Sequence, residues 1–174
     1  IDEESSIQFE RHFRVLEQSS TEYIMIYIHS TGGCVYSALR IIDIMKSSEK
    51  KCITVCSGCA MSAAALIFSQ GDLRFMSEIG TIMIHDASMG LSEGRLNDVE
   101  VEATELRRLT EQGYEMMSLN IGKKKNYWIR GSMRARPIGA WPMRAWPTRG
   151  WPIRAWPNRA QPISAKGEPQ ELGP

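Results

Sequence analysis

The sequence predicts an α/β fold in which the strands of a parallel sheet alternate with helices. Two continuous runs of apolar, β-prone residues, at 23–28 and 52–56, have the composition of strands buried on both faces of a sheet. Each run is followed by a glycine-containing turn and then by a segment whose apolar residues recur at helical spacing. Such repeated strand–turn–helix units are typical of right-handed βα crossovers.

The remaining elements are predicted in chain order from the same periodicities. Apolar residues at helical spacing predict helices over residues 4–19, 35–47, 60–69 and 96–120, and Gly122 is placed to end the last of them. Short apolar runs predict further strands over 73–76 and 81–85, the second ending at His85. The long helix at 96–120 is typical either of a subunit contact or of a peripheral helix packed on its own domain.

Charge and composition divide the 174 residues into two parts. Residues 1–122 carry 10 Lys and Arg against 18 Asp and Glu, whereas residues 123–174 carry 11 against 2. We therefore predict one domain over 1–122 and a basic, low-complexity tail over 123–174. The chain begins abruptly at Ile1, and we expect the domain to be incomplete at both ends.

The tail contains a five-residue repeat in which proline recurs at every fifth position, as in Trp141-Pro-Met-Arg-Ala and Trp146-Pro-Thr-Arg-Gly. Proline at this spacing excludes helix and interior strand, so we predict an extended, disordered segment. Its Arg and Trp residues could bind nucleic acid by charge and stacking. Composition favours another interpretation, a short tandem DNA repeat that is read after loss of the natural frame.

The four cysteines, Cys34, Cys52, Cys56 and Cys59, lie close together and lack the dispersed spacing of a secreted disulfide scaffold. Cys56-x-x-Cys59 matches a redox motif or half of a zinc motif, but no second Cys or His pair follows to complete a zinc site, so we predict buried thiols and no metal. The sequence shows no signal peptide and no membrane-spanning run. We predict a cytoplasmic protein, or one in an organelle of bacterial origin, without membrane contact.

Ser62, at the hinge between the second strand and its helix, is the candidate nucleophile. A hydroxyl at the start of a helix lies among unpaired backbone N–H groups, which favour negative charge. The alternative is a structural role, either as an N-cap or as a small residue tolerated in a tight helix. Gly32 and Gly33 follow the first strand and His85 follows another, so the carboxyl ends of three strands bring a hydroxyl, an imidazole and backbone donors to one sheet edge. For His85 the alternative is a structural histidine at a strand end.

Three segments resemble the ClpP family of ATP-dependent serine proteases. Residues 26–33, Ile-Tyr-Ile-His-Ser-Thr-Gly-Gly, resemble that family's strand and Asn-Ser-Pro-Gly-Gly signature. Residues 58–65, Gly-Cys-Ala-Met-Ser-Ala-Ala-Ala, are similar to its nucleophile segment, and residues 82–85, Ile-Met-Ile-His, to its catalytic histidine strand. The resemblance covers residues 2–122, with the segments in the family's order.

The resemblance implies a crotonase-like fold whose handle helix, here 96–120, joins two rings face to face. It implies Ser62 as nucleophile, His85 as general base, and the backbone N–H groups of Gly33 and Ala63 as the oxyanion hole. It also implies that peptides from unfolded proteins bind as an added strand along Gly32 and Gly33. Homo-oligomeric rings, an AAA+ unfoldase as partner and no cofactor are further implications.

The sequence departs from the family's pattern at three places. Thr31 stands where the family has proline, and Cys59 where it has glutamine. The family's triad Asp follows the handle helix, but this chain has no Asp after Asp98, so its triad acid is unknown. The predicted function is therefore a Clp-type serine endopeptidase acting in an oligomeric chamber. The alternatives are a catalytically inactive structural subunit and, less favoured, a nucleic-acid-binding protein that uses the tail.

Overall fold

The computed structural model describes residues 1–88, 95–122, 124 and 144–145. The described part is a mixed α/β structure with a parallel sheet and a long helix after it, as predicted. In chain order its elements are α1 (Glu3–Glu17), β1 (Tyr23–Ser30), α2 (Val35–Ser47), β2 (Lys51–Met61), α3 (Ala63–Ser69), β3 (Leu73–Met76), β4 (Thr81–Met83), α4 (Leu96–Ile121) and β5 (Arg144–Ala145).

Strand β2 is the centre of the sheet, because it pairs in parallel with three other strands. Its first half lies between β1 and β3, with Ile24 opposite Cys52 and Ile53 opposite Leu73. Its second half pairs with β4, and β5 pairs with the outer side of β3. The carboxyl ends of β1, β2 and β4 therefore lie side by side.

The helices cover one face of this sheet and form the main core with it. Phe13 of α1, Ile42 of α2 and Phe68 of α3 are each at most 2% exposed and belong to the same apolar cluster as Ile24 and Cys56 of the sheet. A smaller cluster on the opposite face contains Ile53, Val55 and Phe75. Two apolar faces of one strand explain why residues 52–56 form a continuous apolar run.

Two predicted strands differ from the observed ones. Strand β1 is not buried on both faces, because Tyr23 and Tyr27 are 41% and 62% exposed on the face away from the helices. Strand β2 continues to Met61 rather than ending at Cys56, because its last residues pair with β4. Helix α3 consequently begins at Ala63 and not at residue 60.

Helix α4 is the long fourth helix, and it ends at Gly122 in the left-handed conformation that the sequence predicts there. Its second half packs against α3 and buries Leu109, Tyr114, Met117 and Ile121. Arg74 secures this end from the side of the sheet, since its guanidinium donates to the carbonyls of Gly71 and Asn120.

Helix α4 also leaves apolar side chains in solvent, with Leu96, Val101 and Leu119 between 69% and 77% exposed. The helix therefore packs on its own domain and keeps further apolar surface uncovered by the described residues. Among the parts of the chain that the structure describes, no helix combines the length and apolar character needed to cross a membrane.

Most of the tail lies outside the described residues. The exceptions are Lys124 and the two residues of β5, which pair with Phe75 and Met76. The predicted disorder of the repeat and its possible contact with nucleic acid therefore stay predictions, as does the domain boundary at residue 122.

Candidate active site

Three strand ends bring together the segments from which the sequence predicts a site. The segment with Gly32 and Gly33 follows β1, Ser62 follows β2 directly, and His85 follows β4. The strand register fixes their neighbourhood, because Ser30 lies opposite Ala60 and Met61 lies opposite Met83. The parallel arrangement thus carries all three segments to one edge of the sheet.

Ser62 has a backbone conformation that residues other than glycine rarely adopt. Its φ of 54° and ψ of −125° make it the one non-glycine residue with positive φ among the described residues. Its N–H donates to the Met83 carbonyl over 2.8 Å, and its carbonyl accepts from the N–H of Leu66 over 3.2 Å. These bonds hold a strained residue between a strand end and a helix start, a setting in which strain often accompanies function.

The Ser62 hydroxyl does not cap α3. Ser62 occupies the N-cap position, but its side chain makes no capping hydrogen bond, and the side chain is half-buried. An N-cap serine stabilises a helix by accepting from the N–H groups of the first turn. The N-cap alternative for Ser62 therefore lacks the contact on which it depends, whereas a small residue tolerated in a tight helix would need no such contact.

The glycine pair lies directly against Ser62 and against the first residue of the chain. A methyl group on Gly32 would lie 2.7 Å from the Ser62 Cβ and 3.3 Å from the Ala63 nitrogen. A methyl group on Gly33 would overlap the Ile1 backbone, 2.0 Å from its carbonyl oxygen. Both glycines also have positive φ, at 108° and 142°. Only glycine satisfies both the backbone conformation and the close approach.

Ile1 occupies two of the backbone groups along which an added strand could bind. Its amino group donates to the Gly32 carbonyl over 2.6 Å, and its carbonyl accepts from the Cys34 N–H over 2.8 Å. Within the described residues the backbone N–H of Gly33 has no hydrogen-bond acceptor. Ile1 thus engages the backbone groups on either side of the Gly33 N–H.

His85 lies two residues beyond the end of β4, and not on the strand as predicted. Residues 84–88 form no helix or strand, because the pairing with β2 stops at Met83. The His85 side chain is exposed, and no hydrogen bond reaches its ring from any described residue. It is therefore not a structural histidine held by partners in the part of the chain described.

Ser62 and His85 line the same small cleft, whose volume is about 50 Å³. The two side chains make no hydrogen bond with each other in the described structure. The rest of the lining comes from α2, α3, the segment after β4 and α4, and it is predominantly apolar: Val35, Ala63, Leu66, Ile84, Ala87, Leu109, Thr110, Gly113, Tyr114 and Met117. The topology therefore brings the predicted nucleophile and base to one concave surface.

Two side chains of α4 hold the segment that carries His85, a contact that the sequence analysis missed. The Tyr114 hydroxyl donates to the Asp86 carboxylate, and the Ala87 N–H donates to the Thr110 Oγ1 over 3.0 Å. Thr110 and Tyr114 are four residues apart and so share one face of the helix. The spacing of these two residues can be recognised in the sequence. The sequence does not show that this face of the helix contacts Asp86 and Ala87.

Asp86 is the acid nearest to His85 in the sequence, and its carboxylate is engaged by Tyr114. Side chains of neighbouring residues point to opposite faces only within a strand. Because His85 and Asp86 both lie beyond β4, that rule does not fix the direction of the Asp86 side chain. The described residues show no carboxylate bonded to the His85 ring.

The cysteines near the site are free thiols. Cys56 is fully buried, and burial raises the pKa of its thiol above the usual value. The Cys59 sulfur lies 4.0 Å from Nδ1 of His29, a nitrogen that also bonds the Ser57 carbonyl over 3.0 Å. No three His, Cys, Asp or Glu side chains within the described ranges are grouped to hold a metal ion.

The family model and the relatives that match this chain agree with one another. The family model of the Clp protease matches residues 1–135 of this chain. ATP-dependent Clp protease proteolytic subunit 1 of Salinibacter ruber is 31% identical over 123 residues, which cover 64% of this chain and 52% of that protein. Proteolytic subunit 2 of Frankia casuarinae is 36% identical over 104 residues, covering 59% and 48%.

A third relative, proteolytic subunit 2 of Prochlorococcus marinus, is 33% identical over 108 residues, covering 61% of this chain and 54% of that protein. The chain thus spans about half the length of the curated relatives it matches. The matched family model, the parallel sheet and the long helix α4 agree with the resemblance carried by the three sequence segments. The chain belongs to the Clp protease family.

Proposed function

We propose that this chain is a serine endopeptidase subunit of Clp type, which hydrolyses peptide bonds of unfolded proteins. One observation carries the proposal: Ser62, strained and with a hydroxyl that caps no helix, lines the same cleft as His85. A nucleophile requires an uncommitted hydroxyl near a base, and the shared cleft of Ser62 and His85 supports this pair.

In the proposed reaction His85 takes the proton from Ser62 Oγ as that oxygen attacks the scissile carbonyl carbon. The backbone N–H groups of Gly33 and Ala63 stabilise the oxyanion of the tetrahedral intermediate. His85 then gives its proton to the leaving amine, and an acyl-enzyme ester on Ser62 forms. Water, deprotonated by His85, hydrolyses this ester and frees the carboxyl product.

The unknown triad acid sets the expected rate. A carboxylate on the far ring nitrogen fixes the tautomer of the base, and losing it costs on the order of 10⁴ in kcat in the serine-protease template. This chain has no Asp after Asp98, and the Asp86 carboxylate is bonded to Tyr114. We therefore expect slow turnover compared with a protease that has a complete triad.

Assembly and partners form part of the same proposal. The exposed Leu96, Val101 and Leu119 of α4 provide apolar surface for contact between subunits of homo-oligomeric rings. The relatives are named proteolytic subunits of ATP-dependent proteases. We therefore propose an AAA+ unfoldase as the partner that delivers unfolded polypeptide. Analytical ultracentrifugation of the full chain tests the rings, and sedimentation as a monomer at micromolar concentration contradicts them.

A fluorophosphonate probe tests the chemistry directly, because it modifies a serine that is activated as a nucleophile. We expect labelling of the full chain at Ser62, identified by mass spectrometry, and none in Ser62→Ala. Ser47→Ala is the matched control, since the Ser47 hydroxyl lies at the end of α2 and bonds only the Ile44 carbonyl. An unlabelled chain with native circular dichroism and cooperative unfolding overturns the proposal.

The second candidate is a catalytically inactive structural subunit of the same rings. The observation that favours it is that the Asp86 carboxylate is bonded to Tyr114. Among the described residues, no acid is bonded to the His85 ring. Gel filtration of this chain mixed with an intact Clp proteolytic subunit distinguishes the candidates. Co-assembly with neither labelling nor peptide hydrolysis by this chain supports the structural subunit.

A further inference from the structure

The segment that carries His85 needs an external support, because it belongs to no helix or strand. Pairing with β2 ends at Met83, and His85 is two residues further on. The His85 ring itself makes no hydrogen bond with the described residues. The Ser62 N–H holds the Met83 carbonyl before His85, and any further control of the distance between His85 and Ser62 must act through the residues that follow.

Helix α4 supplies that support at two successive positions of the segment. The Tyr114 hydroxyl bonds the Asp86 carboxylate, and the Thr110 hydroxyl oxygen accepts from the Ala87 N–H. Tyr114 is only 3% exposed and Thr110 and Ala87 are half-buried, whereas Asp86 is exposed, so both bonds are partly shielded from competing water. A shielded hydrogen bond is worth more than one in solvent.

The same helix is fixed to the element that carries Ser62. Tyr114 and Met117 belong to the core cluster that contains Ala63 and Leu66 of α3. Gly113 faces Leu66, since a methyl group at Gly113 would lie 4.0 Å from its Cδ2. Because α3 begins directly after Ser62, α4 is a rigid connection between the serine and the histidine segment.

We propose that Thr110 and Tyr114 are positioning residues that fix residues 84–88, and thereby keep the His85 ring close enough to Ser62 for proton transfer. This inference rests on the proposed function. Neither hydroxyl touches substrate or the reacting atoms in this assignment; each acts through Asp86 or Ala87. A small displacement of a catalytic base costs up to about a hundredfold in rate. We expect each hydroxyl to contribute about tenfold to a hundredfold to kcat, with little effect on KM.

The test uses full-length Tyr114→Phe and Thr110→Val, which remove a hydroxyl and keep the shape of the side chain. Hydrolysis of a short fluorogenic peptide and the rate of fluorophosphonate labelling should both fall with KM nearly unchanged, at a temperature at which circular dichroism shows that each variant is folded. Thr110→Ser, which retains the hydroxyl, should restore the rate. Thr104→Val on the exposed side of the same helix is the control, because the Thr104 hydroxyl bonds only the Glu100 carbonyl.

Hydrogen exchange of residues 84–88 gives a readout that does not depend on activity. We expect faster exchange at Ala87 in Thr110→Val and Tyr114→Phe than in the wild-type chain. Full activity and unchanged exchange in both variants overturn the positioning role while the proposed function stands. A folded wild-type chain that neither labels nor hydrolyses peptide overturns the proposed function, and the catalytic part of this inference with it.

Discussion

Gly32 lies in van der Waals contact with Ser62 across two neighbouring strand ends. A methyl group added to Gly32 would lie 2.7 Å from the Ser62 Cβ and 2.8 Å from the Met61 carbonyl oxygen. Ser62, with its rare backbone conformation, and Gly32, with its positive φ, are therefore tightly packed against each other. A change at the glycine acts directly on the candidate nucleophile.

We expect Gly32→Ala to abolish fluorophosphonate labelling of Ser62 and to destabilise the fold. A side chain at positive φ costs about 1–2 kcal/mol, and overpacking costs about 1–3 kcal/mol more. The free energy of unfolding, measured with urea, and the labelling rate are read on the same samples.

Gly58→Ala is the matched control for this backbone effect. Gly58 also has positive φ, at 97°, but a methyl group there would meet the His29 ring at 2.5 Å instead of Ser62. It should lose less stability than Gly32→Ala, because the exposed His29 ring can move aside, and it should still label at Ser62. Equal labelling by Gly32→Ala and wild type would contradict the packing argument.

Gly113→Ala should stabilise the chain. Gly113 lies inside α4, and the nearest atom to an added methyl group is 4.0 Å away, so the methyl group fits without overlap. Alanine in a helix interior is favoured over glycine by about 0.5–1 kcal/mol. Thermal and urea unfolding measure the change, and a loss of stability would mean that α4 lies closer to Leu66 than described.

Arg74→Met should destabilise the chain by about 3 kcal/mol, because each carbonyl left buried without a donor costs about 1–3 kcal/mol. Arg74 is 7% exposed and donates to the carbonyls of Gly71 and Asn120. Arg40→Met is the control. Arg40 forms an ion pair with Glu10 at 2.6 Å but is 43% exposed, and such surface pairs contribute at most about 1 kcal/mol. Similar losses in both variants would refute the assignment.

Iodoacetamide should alkylate Cys34 much faster than Cys52. Hydrogen bonds from the Ser37 N–H and hydroxyl lower the pKa of the exposed Cys34 thiol. Burial raises the pKa of Cys52 from 9.0 to about 12. Since the thiolate is the nucleophile, Cys34 should react first near neutral pH and more slowly as the pH falls, while Cys52 reacts only after unfolding. Mass spectrometry of timed samples checks the order.

The raised pKa of Cys52 also has a consequence for stability. The folded state holds this proton more tightly than the unfolded state, so the contribution is complete below pH 9 and is lost as the pH rises from 9 to about 12. Cys52→Ala should therefore flatten the decline of stability in that alkaline range. Unfolding midpoints across pH 8–11 measure it, and parallel curves for variant and wild type would contradict it.

The sequence alone determined the elements whose pattern is local. Helix α2 and strand β3 have the predicted bounds, and Gly122 ends α4 as predicted, because apolar spacing and a left-handed glycine are properties of a few adjacent residues. The common sheet edge of the segments with Gly32, Ser62 and His85 was also predictable, since parallel strands present their carboxyl ends to one edge, although His85 lies two residues past its strand. Three short segments sufficed to indicate the family.

The tertiary structure alone decided the features that depend on partners distant in the chain. Strand β2 runs on to Met61 because β4 pairs with it, and the same pairing ends before His85. The contact between Tyr114 and Asp86 joins residues 28 positions apart, and no local pattern signals it. The strain at Ser62 likewise exists because Gly32 and Met83, from two other segments, hold it in place. Local sequence sets which residues can act, and packing between segments sets their geometry.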